Sequence, residues 1–121
     1  MKKLLVPVIT VLALSQSVFA GDGTITAQVE RLSVMGTTFG GHKVGNMEIK
    51  VKGGFQLPAN VYCDTNYITT MKTVDPDRSM LSLLRDAMTL QQSVELIITD
   101  NSKQTAYPGR CSLAIVTRIS P

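Results

Sequence analysis

Apolar and polar residues alternate along "TITAQVERLSV", residues 24–34, with Ile25, Ala27 and Val29 on one side and Thr26 and Gln28 on the other. The apolar phase reverses across Glu30-Arg31 and resumes at Leu32 and Val34. That pattern predicts a half-buried strand carrying a bulge. The glycine-rich "MGTTFGGHKVGN" that follows is a loop. "MEIKVK" predicts a second strand, with Met47, Ile49 and Val51 on one face and Glu48, Lys50 and Lys52 on the wet one. After the break at "GGFQLPAN", the β-branched and aromatic runs "VYC" and "YITTM" predict a third strand region, interrupted near Asp64-Thr65-Asn66.

The period then changes from two to that of a helix. Met80, Leu83, Leu84, Ala87 and Gln91 fall on one stripe, widened by Leu81 and Met88, while Arg78, Ser82, Arg85, Asp86 and Thr89 lie mainly elsewhere. Asp75 suits the N-cap and Pro76 the first helical position, where its missing N–H costs nothing. "SVELIIT" and "SLAIVTRI" predict two closing strands, joined by the loop "DNSKQTAYPGR". The resulting order places one helix between the third and fourth of five strands. It predicts a mainly β, OB-fold-like five-stranded Greek-key barrel plugged by the helix; an open antiparallel sheet with the helix packed on it fits the same pattern.

The first twenty residues stand apart. Lys2 and Lys3 precede an apolar run from Leu4 to Leu14 and then Val18-Phe19-Ala20, the layout of a secretory signal peptide. The run is shorter than the roughly 20 residues that cross a bilayer core of about 30 Å. The expected product is one exported, soluble domain, residues 21–121, periplasmic or secreted, without membrane insertion. Two of the twelve Lys and Arg lie in the leader, leaving ten against nine Asp and Glu. Near-neutral charge argues against a nucleic-acid partner.

Cys63 and Cys111 form an even pair in an exported chain, which points to a disulfide rather than a metal site or catalytic thiol. His42, the sole histidine, has no second His or Cys at ligand spacing and reads as a solvated loop residue. "GTTFGGHK" lacks the Lys-Ser/Thr ending of a phosphate loop and no helix follows it. Asp64, Asp75, Asp77 and Asp100 stand at turns and helix boundaries, where Asp serves the backbone. No catalytic constellation, metal set or cofactor motif emerges, so the expected role is non-enzymatic binding. Candidate contact rings are Tyr67, Tyr107 and Phe39, with Phe55 also in a loop and Tyr62, next to Cys63, open equally to contact or to ordinary packing. Aromatics make up only 5% of the chain and Trp is absent.

A Tyr-Cys pair in the third strand region, the helix "SMLSLLRDAM", the strand "SVELIIT" and a second Cys near the C-terminus together resemble the B subunits of pertussis-like and subtilase-type bacterial toxins. They are also similar to short exported bacterial proteins that carry "ML-x-LL-x-x-A" ahead of "V-x-L-x-I". The resemblance covers Val61 to Ile119. It implies an OB-type barrel, a pentameric homo-oligomer and recognition of cell-surface glycans by one face of the barrel. The alternative partner is another envelope or toxin protein, with the domain serving a structural or regulatory role.

Overall fold

The computed structural model describes residues 21–120; the leader expected over residues 1–20 lies outside the described residues. In chain order the elements are β1 (Asp22–Ala27), β2 (Val29–Val34), β3 (Met47–Val51), β4 (Tyr67–Thr70), α1 (Ser79–Thr89), β5 (Val94–Thr99) and β6 (Ser112–Arg118). A short 3-10 turn, Lys72–Val74, precedes α1. The strands form two three-stranded antiparallel sheets, ordered β1-β5-β6 and β2-β3-β4. Among the described residues the fold is thus mainly β with one α-helix, and that helix follows the β2-β3-β4 sheet as the pattern requires.

Six strands appear among the described residues where five were expected, because the first expected strand changes partners midway. Ala27 pairs with Val94 of β5, whereas Val29 pairs with Val51 of β3. Gln28 alone separates them, and its carbonyl accepts the Lys52 N–H at 2.8 Å. The expected bulge lies just beyond, where the register shifts between Val29 and Arg31. Hydrogen-bonded strands therefore form two sheets and no single five-stranded ring. A parallel bridge between Ile68 and Cys111 joins the sheets, supported by the Thr69 N–H donating to the Cys111 carbonyl at 3.0 Å. The expected strand over Val61–Cys63 is absent, and only Tyr67–Thr70 of that region is extended and paired.

Inward-facing residues of both sheets make one core. Ile25, Ala27 and Val29 meet Met47, Ile49 and Val51, with Leu96, Ile98 and Leu113 from the other sheet. Leu84 and Ala87 of α1 are fully buried against them, and Met80, Leu81, Leu83 and Met88 cover the edge. Gln91, placed by spacing on this stripe, lies beyond the helix at a positive φ of 55° and is exposed. The Gln92 N–H reaches back to the Ala87 carbonyl at 2.9 Å and closes the helix end.

The helix begins at Ser79, later than the Asp75-Pro76 signal implies, because Arg78 adopts a left-handed conformation at φ 62°. Asp75 still serves the helix from a distance. Its buried carboxylate accepts the N–H groups of Met80 at 2.9 Å and Leu81 at 3.1 Å, two donors that the helix leaves without partners of their own. Asp77 accepts both the N–H and the hydroxyl of Ser79.

Candidate functional site

Two loops distant in sequence fold over the outer face of the β3-β4 pair. One, residues 35–46, joins β2 to β3; the other, residues 100–111, joins β5 to β6. Residues 107–110, Tyr-Pro-Gly-Arg, form a tight turn in which the Arg110 N–H donates to the Tyr107 carbonyl at 3.1 Å. Gly109 has φ 78°, a left-handed conformation suited to glycine in such a turn, and Pro108 presets the position before it. The turn returns Arg110 toward Tyr107, and the guanidinium carbon lies 4.2 Å from that ring's centroid and 4.7 Å from that of Tyr67. Both separations are within the range of cation–π attraction.

Glu48 is the electrostatic centre of the cluster. One of its carboxylate oxygens, Oε2, meets the Arg110 guanidinium, His42 Nε2 at 3.2 Å and the Thr69 hydroxyl at 3.2 Å. Thr69 is its cross-strand neighbour. The carboxylate and the imidazole are only 16% and 13% exposed, so the pairing acts in a medium drier than bulk water. His42 also lies against Tyr107, with centroids 4.5 Å apart, and its Nδ1 is buried with no hydrogen-bond partner among the described residues. The expectation of a solvated His42 is thus corrected: its loop is pulled onto the sheet by Glu48 and Tyr107. Paired backbone bonds between Phe39 and His42, at 2.9 and 3.1 Å, and the Tyr107 hydroxyl donating to the Gly40 carbonyl at 3.4 Å hold the loop in place.

The disulfide positions the other side. Cys63 and Cys111 are bonded with Cα atoms 5.5 Å apart, and no free cysteine occurs among the described residues. Next to the bridge, the Asp64 N–H donates to the Gly109 carbonyl at 2.8 Å. The Asp64 carboxylate accepts the N–H groups of Asn66 at 2.9 Å and Tyr67 at 2.8 Å, an Asx-type turn that sets the direction in which Tyr67 enters β4. Cys111 follows Arg110 directly, so one crosslink fixes the roots of both Tyr67 and Arg110.

Among the rings chosen from sequence, Tyr67 and Tyr107 come together around Arg110, while Phe39, 75% exposed, lies in the 35–46 loop with its backbone paired to that of His42. Val34 and Val44, at the two ends of the same loop region, are also largely exposed. Phe55 packs against the core, and Tyr62, for which the sequence leaves contact and packing both open, is exposed. Sequence reasoning missed Glu48 and Arg110. The Tyr-Pro-Gly-Arg turn was the available signal for Arg110, since its first and last residues approach each other. No group of three or more His, Cys, Asp or Glu able to hold a metal occurs among the described residues. No known protein family matches the chain, and no curated protein or solved structure matches it.

Proposed function

We propose that the chain is an exported, disulfide-stapled, non-enzymatic binding module that recognises a glycan through the face built by Phe39, Tyr67, Tyr107 and Arg110. The observation that carries this reading is the meeting of loops 35–46 and 100–111 over β3-β4, with rings, a guanidinium and a carboxylate gathered there. In barrels of the OB type this face and these two loops take up oligosaccharides or oligonucleotides. Near-neutral charge disfavours the oligonucleotide. Such a barrel is part of the proposal: β1 and β2 act as halves of one bent strand, and the Ile68–Cys111 bridge closes β4 onto β6. The single residue between β1 and β2 and the parallel direction of that bridge support it. The resemblance to toxin B subunits agrees with glycan recognition and extends the reading to a ring of five copies.

A second reading, a protein partner in the envelope, is favoured by the exposed apolar trio Val34, Phe39 and Val44, since aromatic anchors dominate protein interfaces. A glycan screen with the exported, oxidised protein and its Phe39→Ser variant separates the readings. Saturable binding that the variant loses supports glycan recognition. Absence of glycan binding, with a discrete protein adduct from a photoreactive residue at position 39, rejects it in favour of the protein partner. Light scattering tests the ring: a mass five times that of the processed chain supports it, and a monomer rejects it.

A further inference from the structure

Gly21 sits at the junction between the expected leader and the folded domain, and its surroundings are specific. Its nitrogen donates to Asp100 Oδ1 at 2.7 Å. The Gly21 carbonyl accepts the Asp100 N–H at 3.1 Å and the Thr99 hydroxyl at 3.4 Å. A Cβ on residue 21 would stand 1.8 Å from the Asn60 carbonyl oxygen, which is backbone and cannot swing away. Only glycine fits this seat. The second Asp100 oxygen accepts the Tyr62 N–H at 2.9 Å, so the carboxylate ties the start of β1 to the loop before β4. Asp100 forms no ion pair with any Lys, Arg or His among the described residues.

We infer that Asp100 is the receptor for the α-ammonium group released when the Ala20–Gly21 bond is cut, so that processing completes an ion pair that the precursor lacks. The inference rests on the export reading and is independent of the glycan face. Hydrolysis by a signal peptidase consumes one water: the carbonyl carbon of Ala20 gains the oxygen and leaves as a carboxylate, and the Gly21 nitrogen becomes –NH3⁺. Before the cut, Gly21 offers Asp100 a neutral amide N–H; afterwards it offers a cation with three donors. Charge-assisted hydrogen bonds are roughly twice as strong as neutral ones. The cut therefore strengthens a contact that already exists, and β1 is locked at the point where the leader departs. Glycine at the position after the cut is explained by the fold, since the peptidase signal lies in the small residues before it.

The test uses the full chain, exported from a bacterium and purified oxidised. Intact mass reads where the chain has been cut. Labelling of the α-amine with an amine-reactive anhydride is then followed against pH in the folded and the urea-unfolded protein. An ion pair holds the proton, so the folded protein presents about tenfold less free amine near pH 7 and its labelling midpoint moves to higher pH. Burial without a partner moves the midpoint to lower pH. A chain starting at Gly21 with the upward shift, abolished in Asp100→Asn, is the expected result. A different first residue overturns the cut, and a midpoint unchanged or lowered in the wild-type protein overturns the ion pair. The wild-type midpoint decides even where Asp100→Asn does not fold.

Discussion

The guanidinium of Arg110 lies 4.2 Å from the centroid of the Tyr107 ring while the same side chain meets Glu48 on β3. That relationship joins a turn in the 100–111 loop to the sheet beneath it, and His42 extends it to the 35–46 loop. The face is therefore held in shape by its own contacts, and in the proposed glycan-binding role that would lower the ordering cost of binding.

Arg110→Ala leaves Glu48 partly buried with its strongest partner gone. The expected loss is about 1.5–3 kcal/mol, the range for hydrogen bonds to charged groups. Urea unfolding of the oxidised protein measures it. Arg110→Lys is expected to recover only part of the loss, because an ammonium cannot reproduce the planar stack on both tyrosines.

Reducing the Cys63–Cys111 bridge removes a crosslink between positions 48 residues apart. In the chain-entropy account this costs about 4 kcal/mol, most of the stability of a marginal domain. Alkylation and mass spectrometry of the intact oxidised protein should find no free thiol. Unfolding with and without reductant reads the energy, and under the proposed glycan-binding role the reduced protein is expected to lose that binding first, since the bridge roots both Tyr67 and Arg110.

Leu84→Ala in α1 opens a cavity where the side chain is fully buried, and the expected loss is about 2–5 kcal/mol. Asp75→Ala strips an acceptor from the N–H groups of Met80 and Leu81 and is expected to cost about 1–2 kcal/mol. Thermal unfolding checks both. A double variant close to the sum of the two would show that the cap and the packing act independently.

The Asp77 carboxyl is held below its ordinary value by the Ser79 backbone N–H, and next by the Ser79 hydroxyl. A carboxylate with a depressed folded pKa adds stability above its unfolded value, near pH 4, and loses it as pH falls through the folded value. The stability difference between wild type and Asp77→Ala should accordingly be constant above about pH 5 and shrink below pH 4. Measuring the two proteins across pH 2–6 traces it.

Local pattern carried much of this fold. The alternation over Met47–Val51 marks β3 correctly, and the helical stripe picks out Leu84 and Ala87. The helix start was less readable, because Asp75 suits a cap in sequence yet works from outside the helix, across the left-handed Arg78. Within the candidate site the rings of Tyr67, Tyr107 and Phe39 were recognisable by type. Glu48 was not, since alternation assigns it to the wet face of β3 and its cover comes from outside the strand, from His42 in the 35–46 loop and from Arg110, 62 residues away. Periodicity describes one element at a time; Arg110 reaches Glu48 through the packing of two loops, which no window of sequence contains.

Amide hydrogen exchange across residues 35–46 tests the central claim, that the Tyr107–Arg110–Glu48–His42 stack holds the contact loop in shape. The Phe39 and His42 amides donate to each other's carbonyls. Both are expected to exchange slowly in the wild-type protein and at least about tenfold faster in Arg110→Ala, the β5 amides being unchanged. Unprotected exchange at Phe39 and His42 in the wild type would contradict the account.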